Sequence, residues 1–318
     1  MTITVSEDSQ KVDNRKPFAD ELCALAREDD RVVAVCNDSV SSSGLLGFRE
    51  EFPTRLFNVG IAEQDMVGIA AGLANEGFIP FVCAAGPFLS GRATEQIKAD
   101  IAYSQHKVIL CAMSPGMSYG ELGPTHHSIE DISWMRTLPD LDIIVPADEG
   151  ATRAAVRDVV SNPRPTYMRI GRYRVPDTGG TVLAWQRGRA AMLRDGDDVT
   201  IIAYGTTVSR ALLSAQELEP EGVNARVLDF RFIAPLDTTA ILDAARTTRG
   251  IVVVEEATDS GALGAAVAMT LGESTHRVPL RVLGVRGELP PTGSNDFLLD
   301  YFGISDIPGA VREVLSRE

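Results

Sequence analysis

Short apolar runs that alternate with helix-patterned segments predict an α/β protein of two open-sheet domains, the first mostly parallel and the second smaller. Three observations carry this. Strand-like and helical segments take turns along the chain, the order that parallel strands joined by crossovers require. A length of 318 residues is too great for one ordinary core and suits two. A Pro- and Gly-rich break, VPDTGGT at 175–181, reads as the linker between them. The expected division is a polar, flexible tail at 1–15, a first domain at 16–178 and a second at 179–318.

The elements follow in order. A helix is expected at 18–27, and the apolar run at 31–35 is too short for a helix and reads as a strand. A β-leaning run at 55–59 stops at Gly60, and a helix follows at 63–75. Strands are then expected at 79–83, 107–112, 141–145 and 166–169, with helices at 91–104, 129–136 and 149–160 between them. In the second half a buried strand at 199–203 leads to a helix at 206–218 and a strand at 225–229. A helix at 236–245, a strand at 250–255, a helix at 261–271 and a last strand at 280–285 complete the pattern. No internal repeat or low-complexity segment interrupts it.

Composition narrows the function classes. The chain is 44% hydrophobic and 23% charged, as in soluble globular proteins. No apolar run approaches the ~18–20 residues that span a bilayer. The opening MTITVSEDSQKVDNRK has neither the basic start nor the apolar stretch of a secretory signal, so a cytoplasmic protein is expected. A formal net charge of −14 disfavours nucleic-acid backbones and anionic membranes, while leaving room for a local basic pocket. Cys23, Cys36, Cys83 and Cys111 show no CxxC spacing, so they read as reduced structural residues rather than metal ligands.

The most informative segment is FNVGIAEQDMVGIAAGLANEG at 57–77. Its strand ends at Gly60, and Glu63 follows where the helix begins. Ligands of α/β sheets sit at such strand ends, so a carboxylate there can aim at one. An acidic N-terminal turn stabilised by the helix dipole is the other reading of the same residues. Gly68, Ala70, Ala71, Gly72 and Ala74 line the helix with small side chains, so that another backbone can come close.

The run GIAEQDMVGIAAGLANEGFIPFV resembles the pyrimidine-binding domain of thiamine diphosphate enzymes of the transketolase family. GPTHHSIED at 123–131, with MRTLPDLDIIVPAD after it, is similar to that family's histidine loop and the helix and strand that follow. From 196 onward, GDDVTIIAYGTTVSRALLSAQELEPEGVNARVLDFRFIAPLD and IVVVEEATDSGALG resemble the family's C-terminal domain. The fold implied is a thiamine pyrimidine-binding domain followed by a transketolase C-terminal domain. No GDG occurs in the chain, nor a GxGxxG or a P-loop. The resemblance therefore implies a split enzyme, whose partner subunit carries the GDG motif and holds Mg²⁺ and the diphosphate. Together the two would form an α2β2 assembly.

The resemblance also implies roles. Glu63 matches the carboxyl that bonds the cofactor's aminopyrimidine and assists its ionisation, general acid–base work done through the cofactor. Ile61 would lie beside the cofactor. Phe88 would stack on the pyrimidine, with Ala85 and Gly91 where the family often has further aromatics. His126 matches the histidine that faces the reacting carbon and the substrate oxygen, and His127 stands where Gln is typical. Leu122 and Ser114 replace an acid and a histidine that meet the substrate in relatives. Arg169 and Arg172 lie where the family presents an arginine to a sugar phosphate; one is expected to pair with a carboxylate, and Arg172 is favoured as the ligand. The activity implied is transfer of a two-carbon ketol unit to an aldehyde. The alternatives are a 2-oxo acid dehydrogenase β subunit and a scaffold paralogue without activity.

Overall fold

Every residue of the strand Val32–Cys36 is buried, as are all five of Ile109–Met113, Thr166–Ile170 and Val199–Ala203. Such runs belong in the middle of parallel sheets covered on both faces by helices. The computed structural model describes residues 3–6, 9–179 and 183–317 and places them so. In chain order its strands are β1 (Lys11–Val12), β2 (Val32–Cys36), β3 (Leu56–Asn58), β4 (Ile79–Ala85), β5 (Ile109–Met113), β6 (Asp142–Ile144) and β7 (Thr166–Ile170). Then come β8 (Val175–Pro176), β9 (Ala191–Arg194), β10 (Val199–Ala203), β11 (Ala225–Asp229), β12 (Phe232–Ala234), β13 (Ile251–Thr258) and β14 (Leu280–Val285).

The first sheet runs β12-β6-β7-β5-β4-β2-β3. Its strands from β6 to β3 are parallel, and β12 closes the edge antiparallel, with Phe232 opposite Ile144. That edge strand comes from the second half of the chain. The second sheet runs β14-β13-β10-β11-β9, with only β9 antiparallel. Both halves are therefore open α/β sheets, as the alternating pattern predicts.

The helix Glu63–Asn75 and the strands β10, β11 and β14 fall at their expected bounds. The helix expected at 91–104 begins earlier, at Gly86, because Pro87 suits a first helical turn. It continues as a π-helix over Ile97–Tyr103. The helices Leu46–Glu51, Asn295–Tyr301 and Ile307–Leu315, and the short β9 and β12, were not expected from sequence.

The opening segment, expected as a flexible tail, is held where it is described. Ile3 N–H donates to Leu193 O at 3.0 Å, and the backbone of buried Val5 exchanges two hydrogen bonds with the Gln216 amide. β1 pairs with β8. An apolar Val5 and two β-paired residues are enough to tie down a polar stretch. Of the expected linker, Thr178 is fixed by Asp148, while residues 180 and 181 lie outside the described residues. All four cysteines are buried and unbridged, and burial pushes the Cys36 thiol up to about 11, where it is unreactive. Among the described residues no helix is long and apolar enough to cross a membrane.

Candidate active site

The parallel strands of the first sheet all end on one side, and the loops leaving them build the site. β3 ends at Asn58, whose side-chain oxygen accepts the Gly60 N–H at 3.0 Å. Gly60 has φ +76°, a left-handed backbone that favours glycine, and this reverses the chain into the helix that opens at Glu63. Glu63 is 4% exposed. Its Oε1 accepts from Asn37 Nδ2 at 2.7 Å and from Arg92 Nη1 at 2.8 Å. Asn37 follows β2 and is itself oriented by the Ser39 hydroxyl, which donates to its Oδ1 at 2.6 Å. Burial pushes the Glu63 carboxyl up, but its own N–H, Asn37 and Arg92 outweigh burial and hold it below the ordinary glutamate range.

β4 leads directly into the helix Gly86–Gln96. A Cβ on Gly86 would meet the Ser128 hydroxyl at 2.5 Å, so glycine lets this helix sit against the 116–128 loop. That contact brings Phe88 and His126 together, edge to face, with ring centroids 5.2 Å apart. Tyr119 stands at 6.0 Å on the other side of His126. The Thr125 hydroxyl lies 3.0 Å from His126 Nδ1. The Arg92 guanidinium lies over the Phe88 ring, 4.1 Å from its centroid. Arg92 thus joins Glu63 to Phe88, and Phe88 in turn abuts His126, linking three residues far apart in the chain.

The other expected site residues divide. Arg172 is half-buried over the Tyr119 ring at 4.9 Å and has no carboxylate partner among the described residues. Arg169 is the arginine that pairs with a carboxylate: it is 2% exposed and its fork grips Asp131, Nε to Oδ2 at 3.0 Å and Nη2 to Oδ1 at 2.9 Å. Nη2 also donates to Ser128 O at 2.7 Å, and Tyr167 donates to Asp131 Oδ2 at 2.7 Å. Arg169 therefore ties the histidine loop to β7 through Asp131 and Ser128. Ser114 and His127 are both buried as well. Burial lowers the His127 imidazole below its ordinary value, and its Nε2 faces Gly120 O at 3.4 Å. Leu122 is exposed on the short turn Gly120–Leu122. Ile61 is 79% exposed and lines an open cleft of ≈ 370 Å³ with Ala62, Glu63, Gln64, Asp65 and Arg92.

Sequence reasoning does not single out Asn37 or Arg92. Asn37 stands at the end of a buried strand, where a polar residue is a signal. Arg92 lies one helical turn after Phe88 on the helix Gly86–Gln96.

A buried carboxyl beside a half-buried aromatic face fits one edge and one face of an aminopyrimidine. Among the described residues no group of three or more His, Cys, Asp or Glu is gathered to hold a metal ion.

Glu63, Phe88 and His126, carried by segments that leave the strand ends of one parallel sheet, make up the candidate active site of an α/β enzyme. The chain matches the transketolase pyrimidine-binding domain over residues 10–177 and the transketolase C-terminal domain over 188–306. It belongs to the transketolase family and is a transketolase-like transferase subunit. It is 43% identical over 291 residues to an apulose-4-phosphate transketolase subunit of Phocaeicola vulgatus, covering 91% of this chain and 93% of that one. It is 37% identical to the 6-deoxy-6-sulfo-D-fructose transketolase subunit SqwH of a Clostridium species, covering 96% and 95%. Among solved structures, a split gene transketolase in an inactive β4 tetramer superposes with a TM-score of 0.87 at 36% identity, covering 95% and 98%.

Proposed function

We propose that this chain is the C-terminal half of a split transketolase, transferring a two-carbon ketol unit from a ketose to an aldehyde. The observation that carries it is Glu63: a carboxyl buried at a sheet end, beside Phe88 and His126, in a chain matching only the pyrimidine-binding and C-terminal parts of the family. Residues 16–178 and 179–318 are taken as the two domains. Family membership implies thiamine diphosphate; when bound, it supplies a thiazolium carbon that becomes the nucleophile. Glu63 would hold the aminopyrimidine edge and keep a proton on the Glu63–pyrimidine hydrogen bond. Phe88 would hold the ring's face, and His126 would donate to the substrate oxygen.

Mg²⁺ and the diphosphate would be held by the partner subunit, since a hard cation needs an oxygen cage that this chain's motifs do not provide. The helix Glu63–Asn75 exposes Gly68, Ile69 and Gly72, a flat face suited to close packing in an α2β2 assembly. Two relatives are named for a phosphorylated and a sulfonated sugar. Arg172 suits an anionic end of that kind. Leu122 and Ser114 favour an acceptor that is less polar or differently charged than ordinary sugar phosphates.

Replacing Glu63 by Gln in the assembled enzyme tests the reading. The shape stays and the exchangeable acid goes, so turnover should fall by ~10²–10⁴-fold at saturating cofactor. Near-normal turnover would reduce Glu63 to a helix cap.

A further inference from the structure

Arg92 touches both groups that would receive the aminopyrimidine. Its Nη1 is 2.8 Å from Glu63 Oε1, and its Cζ sits 4.1 Å above the Phe88 ring. A guanidinium is flat, delocalised and edged with N–H donors, and it stacks on aromatic faces. An aminopyrimidine is also flat and delocalised, with an amino group on its edge. Stacked on an aromatic ring with its edge against a carboxylate, the guanidinium makes the two contacts that the aminopyrimidine would make. One face of Phe88 and one oxygen of Glu63 cannot serve both at once.

We propose that Arg92 is a built-in stand-in for the aminopyrimidine: it fills the pyrimidine place in the chain by itself and is displaced when the cofactor enters. The proposal rests on the reading of Glu63 and Phe88 given above. The side chain has room to leave, for it is 49% exposed and borders the open cleft. It also has somewhere to go. Asp65 lines the same cleft and makes no ion pair among the described residues. Arg92 supplies part of the pull that keeps the Glu63 carboxyl low, and its departure removes that part, in the direction a carboxyl that must hold a proton requires. A half-site plugged in this way binds its ligand more weakly than the open half-site by the fraction of time it stands open. Cofactor capture is thereby left to the assembled enzyme, where the diphosphate contacts add to the competition.

Thiamine without its diphosphate is the probe, titrated into the full chain. Binding is followed by calorimetry and by tryptophan fluorescence, because Trp134 Cζ3 lies 3.2 Å from where a Cβ on Gly91 would stand. Arg92→Met should bind thiamine at least tenfold more tightly than the wild type, and adding Glu63→Gln should remove that gain. Arg92→Lys keeps the charge without the flat fork, so it should recover much of the gain; a Lys variant no better than wild type would mean simple charge repulsion and overturn the proposal. Equal or weaker binding by a folded Arg92→Met, or none at millimolar thiamine, would also overturn it. The two readings fail separately. Retained turnover in Glu63→Gln defeats the role of Glu63, whereas lost turnover there with unchanged thiamine affinity in Arg92→Met defeats only the stand-in.

Discussion

Two arginines three residues apart, Arg169 and Arg172, illustrate what decides a side chain's role. They carry the same charge in one motif, YMRIGR, yet one is sealed on β7 against Asp131 and the other stacks on Tyr119 near the cleft. Strand alternation and burial make the difference. Asp131 is fully buried and holds Arg169 bidentately, a geometry that raises the guanidinium further above its ordinary value despite burial. Breaking one partner of such a pair strands the other charge in the interior. Asp131→Asn should therefore lower stability by about 3–5 kcal/mol, read from denaturant melts. It should also loosen the histidine loop that Arg169 holds through Ser128 O. A shift under ~1 kcal/mol, the range of surface pairs, would show that the pair is relaxed by water.

At the scale of elements, the strand β13 carries two consecutive buried acids with opposite duties. Glu256 reaches across to the first half of the chain, accepting the Met117 N–H at 2.7 Å, and also accepts from the Asn295 amide at 2.6 Å. Glu255 turns the other way and accepts the Leu263 and Gly264 N–H groups, capping the helix Leu263–Glu273. Burial pushes the Glu255 carboxyl from 4.5 up to about 8. A carboxyl raised in the folded state favours folding while protonated. Its contribution is fully present below pH 4.5 and is lost as pH rises through about 8. The slope is at most ~1.4 kcal/mol per pH unit. Glu255→Gln should flatten the fall of Tm across that window relative to wild type. Parallel Tm–pH curves for the two proteins would place the titration elsewhere. The helix expected at 261–271 runs two residues later, Leu263–Glu273, and its capping acid sits eight positions upstream of the helix's first residue. No local rule connects the two.

For the whole molecule, the exposed face of the helix Glu63–Asn75 is the surface proposed above for assembly. A Cβ placed on Gly72 meets no atom within 4 Å, so a larger side chain has room within the chain itself. Gly72→Leu should keep the fold and gain ~0.5–1 kcal/mol from helix propensity. With that face as the proposed interface, it should nevertheless leave the isolated chain a 34.2 kDa monomer in light scattering, where the wild type should be an oligomer, and block joining with a partner subunit. An unchanged mass would show that this helix faces solvent in the assembly.

The alternation of apolar runs by itself determined the two open α/β sheets, because strands buried on both faces and their crossovers leave a mark within each short window. The order of motifs likewise determined the family and put Glu63 at a strand-to-helix turn. Only the tertiary structure decided that β12 crosses to the other sheet, that Val5 anchors the opening segment, and that Arg169 is sealed while Arg172 is not. The same holds for Asn37 and Arg92, which meet at Glu63 from 26 and 29 residues away. Hydrophobic periodicity is a local property of the chain, whereas polar contacts between distant loops depend on which strand ends the folded sheet sets side by side.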